Sequence, residues 1–292
     1  MINSDFKLKK YNDPCPHIII SDFFEKVFYT KLEEDFPNSK RFKTNSVNRM
    51  HGDITYGDQL YSDLINSSAV YNKLHNWVYS KDFMNFFLNF FKDYFKSDDD
   101  FYQNLEKFDL HFEPLEIGKV FNLDNYESKN TKPLLFPRLD IGYGVKNYGI
   151  NTGGKGPHID NPQRVISILF YVGGYNIMEG GQHRLYKISN NNEKELEVSK
   201  IYEPKKNLLI ASLQNNFAFH DVNPITHIEG QRNAFYMAIS SNKRTWRPSK
   251  RNYINKKYNK NRVENTFLKK CFLNIKKISL NIFKIKLSNI LN

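Results

Sequence analysis

Between Phe83 and Phe95 the aromatic residues Phe83, Phe86, Phe87, Phe90, Phe91, Tyr94 and Phe95 return at steps of three and four. That period puts them on one face of a helix, and a face this apolar is read as packed on a core rather than as a cofactor site. The polar run 97–100 ends it. Two more helices are predicted upstream. Ser21-Asp22 offers N-cap oxygens for one over Phe23–Phe36, closed by Pro37. Ser67 or Ser68 caps another, with Val70, Leu74, Trp77 and Val78 on one face. Before them, the apolar run Pro16–Ile20 suits a short strand.

From Leu134 the period changes from helical to alternating. Strands are predicted at Leu134–Tyr143, Val165–Val172, His183–Ile188, Glu195–Tyr202, Asn207–Leu213 and Asn233–Ser240. Turn signals separate them: Gly153-Gly154, Asn161-Pro162, Gly173-Gly174, Asn190–Asn192 and Gln214–Asn216. Short strands at this spacing predict an antiparallel sandwich or barrel, with the helices outside one sheet, hence an α+β chain. No internal repeat is visible.

Charge divides the chain differently. Of its 43 Lys and Arg, 15 lie from Lys243 onward beside one acid, Glu264, so that stretch carries +14; the remainder holds 28 basic and 30 acidic residues, −2. Any polyanionic partner is therefore a matter for the tail alone. Residues 249–262 read as a linker. Residues 265–291 pair lysines with Phe267, Leu268, Phe272, Ile275 and Ile282, the texture of a basic amphipathic helix. Three readings stand open for 249–292: binding of a polyanion through phosphate contacts, attachment to an anionic membrane surface, or an extension shaped by composition. The cysteines, Cys15 and Cys271, form no disulfide framework or Cys-based metal motif, and no disulfide-linked partner is expected. The first twenty residues lack the basic-then-apolar order of a signal peptide, and no uncharged apolar run reaches the ~18–20 residues of a membrane span. The expectation is a soluble, cytoplasmic protein.

The candidate chemistry starts at His158-Ile159-Asp160. Residues i and i+2 of a strand share a face, so one imidazole and one carboxylate project together. A second imidazole completes a facial triad that leaves coordination positions open, the arrangement suited to iron(II) and O₂. His220, ending the apolar stretch Phe217–His220, is the candidate, with His227 as alternate. Arg232 opens an apolar strand, where its guanidinium calls for an anion, best a planar carboxylate. Other residues have plainer readings. His183 is read as an ordinary strand residue. Arg138 and Asp140 form a structural ion pair or line a substrate entrance. Arg164 contacts substrate or solvent. His51-Gly52-Asp53, a second H-x-D, is incidental or part of a lid.

The ordered set His158-Ile159-Asp160-Asn161-Pro162, Arg164–Tyr171, Glu179-Gly180-Gly181-Gln182-His183-Arg184-Leu185-Tyr186, His220–Pro224 and Gly230-x-Arg232 resembles the 2-oxoglutarate/Fe(II)-dependent dioxygenases. It is most similar to their prolyl 4-hydroxylase-like branch, over about residues 134–242. The resemblance implies a double-stranded β-helix (jelly-roll) core with an N-terminal helical layer packed on one sheet. It implies one dioxygenase domain over 1–248, helical in 1–133 and jelly-roll in 134–248, followed by the tail 249–292. It assigns Fe(2+) to His158, Asp160 and His220, and the distal carboxylate of 2-oxoglutarate to Arg232 with Tyr171, and Tyr143 as a second hydroxyl. O₂ and 2-oxoglutarate are the cosubstrates, ascorbate an optional supporting reductant, and the substrate an unidentified peptidyl proline or small metabolite. Two departures stand out: His220 and Arg232 are separated by an enlarged loop, and the Arg-x-Ser pair of some branches is Arg232-x-Ala234. The rival expectations are a nonenzymatic jelly-roll binding protein whose basic tail contacts nucleic acid or membrane, and a cupin-type metalloenzyme without 2-oxoglutarate.

Overall fold

Strand parity organises this molecule. Along β6, Ile166, Ile168, Phe170 and Val172 face one way and Ser167, Leu169 and Tyr171 the other; both sets are buried or nearly so, because the strand is covered on both faces. A computed structural model describes residues 1–38, 51–95, 105–115, 132–145, 156–190 and 195–246. The predicted turn at Gly153-Gly154, most of that at Asn190–Asn192, the polar run 97–100 and the whole tail 249–292 lie outside the described residues.

Eleven strands and four α-helices are described: β1 Lys7–Tyr11, β2 His17–Ser21, α1 Lys26–Glu34, β3 His51–Thr55, α2 Gln59–Ser67, α3 Ala69–Val78, α4 Lys81–Phe91, β4 Asp109–Leu110, β5 Leu134–Gly144, β6 Arg164–Glu179, β7 His183–Ile188, β8 Leu196–Tyr202, β9 Leu208–Leu213, β10 Phe219–Val222 and β11 His227–Ser241. The large sheet runs β1-β2-β9-β6-β11-β5-β3, with β4 also on β5; the small one runs β10-β7-β8. His158 joins the free edge of β10 through a bridge to His220. From β5 onward the chain visits large, small (at His158), large (β6), small (β7, β8), large (β9), small (β10) and large (β11) sheets. That alternation is the double-stranded β-helix, and the expected jelly-roll core is present.

The helical layer covers the outer face of the large sheet. Phe83, Phe87 and Leu74 share one apolar core with Leu139 and Ile141 of β5, Ile168 and Phe170 of β6, and Phe235 and Met237 of β11. Ser68 caps α3 by accepting from the Tyr71 N–H at 3.4 Å, and Ser80 caps α4 from the Phe83 N–H at 3.3 Å. Phe235 is fully buried, stacked on Phe170 with ring centroids 5.6 Å apart and edge-on to Tyr71 at 5.9 Å. Phe235→Ala is expected to cost about 3–5 kcal/mol through lost contacts and a cavity, read as a lowered urea midpoint with unchanged slope.

The structure corrects several expectations. The helix placed at Phe23–Phe36 spans only Lys26–Glu34, and Asp22 does not cap it but turns with φ 56°. Phe23 and Phe24 hydrogen-bond to Asn207, and the Phe23 carbonyl accepts from Asn3, so their backbone groups are already committed to other segments. Helix α2 was not foreseen. His51-Gly52-Asp53 lies not in a loop or lid but on edge strand β3, paired in register with Gly144, Tyr143 and Gly142 of β5, and its Asp53 joins no cluster of metal-capable side chains among the described residues. Gly173-Gly174 is no turn, since β6 runs on to Glu179. The supposed enlarged loop before Arg232 is also strand: His227, Ile228 and Glu229 of β11 pair with Glu179, Met178 and Ile177. No helix among the described residues is long and apolar enough to cross a membrane.

Candidate metal centre

His158 and His220 are opposed across a two-bond bridge, with N–H···O distances of 3.1 and 2.9 Å. The rings, 4.6 Å apart at their centroids, therefore leave the backbone side by side. Each ring is held by its own loop. His158 Nδ1 lies 2.8 Å from the Gly156 carbonyl and His220 Nδ1 2.9 Å from the Ala218 carbonyl. A carbonyl only accepts, so each Nδ1 carries the proton and each Nε2 offers a lone pair.

Asp160 is the third donor, its Oδ1 3.9 Å from His158 Nε2. Its Oδ2 accepts a 2.5 Å hydrogen bond from Ser167 Oγ on the inner face of β6. Burial alone would raise its pKa. The neighbouring His220, Arg164 and His158 side chains and the Ser167 bond outweigh burial and hold the carboxyl well below the usual range. One ligand atom from each of His158, Asp160 and His220 falls within 4.8 Å of the others, the one such cluster among the described residues. Two imidazole nitrogens and one ionised carboxylate oxygen, each oriented by a second hydrogen bond, fit a divalent first-row metal ion.

The inner face of the large sheet supplies the rest. Arg232 is fully buried on β11. Its Cζ lies 4.9 Å from the Tyr171 ring centroid, and its Nη1 donates to the Tyr236 hydroxyl at 3.1 Å. Tyr171 is buried too; burial raises its pKa and the Arg232 charge opposes the rise. The chain reaches this arrangement through a close crossing of β6 and β11, where the register slips between Gly230 and Asn233. A Cβ on Gly174 (φ 83°) would sit 2.2 Å from Asn233 Nδ2, and one on Gly230 (φ 103°) 2.3 Å from the Gly174 carbonyl oxygen. Only glycine permits that approach at these angles.

Tyr143 is corrected. It pairs with Asn233 and belongs, with Leu139 and Ile141, to the core under the helices, on the face of β5 away from Arg232. The second hydroxyl beside Arg232 is that of Tyr236, two steps of period two beyond Arg232 and legible only once β11 is oriented. His227 is exposed, pairs with Glu179 and stands apart from the triad. Arg138 forms a two-point ion pair with Asp140, Nε–Oδ1 2.9 Å and Nη2–Oδ2 2.5 Å, on the face carrying Tyr236. Arg164 lies close enough to both acids, Asp160 and Asp140, for each to act on its charge. Ser167, which bonds Asp160, was also missed; period-two counting from Tyr171 would have found it.

His183 opens β7, as the strand reading expects. It is 8% exposed and its ring centroid is 5.6 Å from that of His220. Burial first, then the charges of His220, Arg232, His17 and His158, push its pKa far below the ordinary imidazole value.

No protein-family model matches the chain, and no curated protein matches it. Among solved structures it is similar to a prolyl 4-hydroxylase from Phytophthora capsici, at 14% identity and a TM-score of 0.43, over 77% of this chain and 58% of that one. It thus spans little more than half of that protein. It is also similar to a prolyl hydroxylase from Trichoplax adhaerens, solved with a hypoxia inducible factor oxygen degradation domain peptide fragment (14% identity, TM-score 0.41, 77% of this chain and 83% of that one). A third is a 2OG-Fe(II) oxygenase family oxidoreductase from Burkholderia pseudomallei (11% identity, TM-score 0.40, 80% and 88%). At such identities and TM-scores the functional reading rests on the site's own residues. Those residues define a double-stranded β-helix with a His-Asp-His donor set inside it.

Proposed function

We propose that this chain is an iron(II)- and 2-oxoglutarate-dependent hydroxylase. The observation that carries the reading is the convergence of His158, Asp160 and His220 within 4.8 Å, inside the same barrel that buries Arg232. Iron(II) bound there would supply O₂ activation, coupling decarboxylation of 2-oxoglutarate to succinate and CO₂ with hydroxylation of a substrate C–H bond. The protein's own part is placement. The Gly156 and Ala218 carbonyls fix the two imidazoles, and Ser167 fixes the carboxylate, leaving Oδ1 as its metal-facing oxygen. Arg232 supplies a buried fork for the distal carboxylate of the cosubstrate, flanked by the Tyr171 ring and the Tyr236 hydroxyl. The substrate class is a peptidyl proline or a small metabolite, with Arg138 and Arg164 on the approach.

Two measurements test this reading. Cobalt(II) added to chelator-stripped protein is expected to raise its thermal midpoint, by about 2.7 kcal/mol of stability at 100 times Kd, and a chelator is expected to reverse the shift. With Fe(II), 2-oxoglutarate and a panel of proline-containing peptides and small metabolites, succinate release is expected and is expected to stop in His158→Ala. A protein that neither binds the metal nor releases succinate with any member of the panel would falsify the reading.

A further inference from the structure

Four described histidines gather around the interior of the small sheet, and three of them have their ring nitrogens accounted for. His17 bonds the Cys15 carbonyl through Nδ1 at 2.7 Å and the Tyr202 hydroxyl through Nε2 at 2.6 Å. His158 and His220 each place Nδ1 on a carbonyl and Nε2 in the donor triad. His183 is different. Its ring makes no hydrogen bond to any described residue, although more than nine-tenths of the residue is buried. Its ring nitrogens are nevertheless not among the fully enclosed, unpartnered polar atoms of the described residues, so they open on space that water or a ligand oxygen can fill.

Register shows where the ring points. On the β7–β10 pair His183 is opposed to Val222 and Leu185 to His220, so His183, Leu185 and His220 share the face that looks into the barrel. Arg184, between them, turns the other way and is held by Asp221 at 2.8 and 2.7 Å. The His183 ring lies beside His220, with ring centroids 5.6 Å apart. It therefore stands beside the metal donors, on the face of β7 that looks toward the interior holding the buried guanidinium. An imidazole there offers an N–H donor to an oxygen of a ligand bound beside the triad.

We propose that His183 recognises the cosubstrate directly, donating a hydrogen bond to a carboxylate or keto oxygen of the 2-oxo dicarboxylate held between the triad and Arg232. The assignment rests on the hydroxylase reading above. It adds a specificity-determining residue on β7 to the anion fork on β11, so that both sheets grip the same ligand.

The test is calorimetric titration of 2-oxoglutarate into the cobalt(II)-loaded full-length protein, comparing wild type, His183→Leu and His183→Gln. Leucine fills similar space and matches the neighbouring Leu185; glutamine restores an N–H donor. His183→Leu is expected to raise the 2-oxoglutarate Kd about tenfold to a hundredfold, the loss of one hydrogen bond to a charged group, with cobalt(II) affinity unchanged. His183→Gln is expected to recover most of the loss, which a purely structural role would not produce. Equal 2-oxoglutarate affinity in wild type and His183→Leu overturns the assignment while leaving the hydroxylase reading intact. Loss of cobalt(II) affinity in His183→Leu also overturns it, making the residue a metal donor instead. Failure of the wild type itself to bind 2-oxoglutarate marks the failure of the underlying reading, and the assignment falls with it.

Discussion

His158→Ala and His220→Ala are each expected to weaken cobalt(II) or iron(II) binding by at least about a hundredfold and to abolish succinate release. Removing a residue that merely orients a ligand already costs about 10–100-fold in metal affinity, so removing the ligand costs more. The same rule sets an internal comparison. Ser167 touches only the far oxygen of Asp160, so Ser167→Ala should fall in the 10–100-fold range and retain measurable turnover. Metal titration by calorimetry reads all three variants on one scale. The order matters more than the absolute values: His158→Ala binding metal as tightly as Ser167→Ala would remove His158 from the donor set. The fold should survive these changes, because the His158–His220 bridge is made by backbone groups and not by the rings.

Arg232→Met is expected to leave metal affinity unchanged and to weaken 2-oxoglutarate about 10²- to 10⁴-fold. Two parallel charge-assisted hydrogen bonds, each worth about 1.5–3 kcal/mol, would be lost together. Methionine retains much of the length of the buried side chain and keeps a contact with the Tyr171 ring, so the loss is chemical rather than a collapse of the site. Arg232→Lys should lie in between, because an ammonium keeps the charge without the planar fork. The informative readout is a titration of 2-oxoglutarate at saturating metal. If Arg232→Met binds 2-oxoglutarate like wild type, the buried guanidinium serves the packing of Tyr171 and Tyr236 and the anion binds elsewhere.

The two sets of variants also separate the competing readings of the chain. A jelly-roll binding protein without chemistry predicts no metal-dependent stability at all. A metalloenzyme that does not use 2-oxoglutarate predicts loss in the triad variants and indifference to Arg232→Met. The proposed hydroxylase requires both losses, at different steps.

Much of this site is legible in the linear sequence because its pieces are local. His158 and Asp160 share a face by the two-residue period of extended chain, and no distant contact is needed to say so. Phe83, Phe87 and Phe91 declare the buried face of α4 by helical period in the same way. His220 and Arg232 were found from the apolar strands they border. What failed was what depends on a partner strand. Gly173-Gly174 carries the chemistry of a turn, yet pairing with β11 draws β6 straight through it. Asp22 looks like a cap, yet Asn3 and Asn207 take the backbone groups a helix would need.

The sequence by itself determined the elements, the order in which site residues appear and which side chains alternate together, since these follow from backbone periods of two and 3.6 residues. It did not determine which of two alternating sets looks into the barrel. That was decided by cross-strand register: Asn233 opposite Tyr143 sends that tyrosine toward the helices, while Arg232, Ala234 and Tyr236 turn inward. His183 opposite Val222, and Leu185 opposite His220, turn β7's histidine into the same interior. A slip of one residue would exchange every one of these assignments, and register is set by long-range pairing that no local pattern encodes.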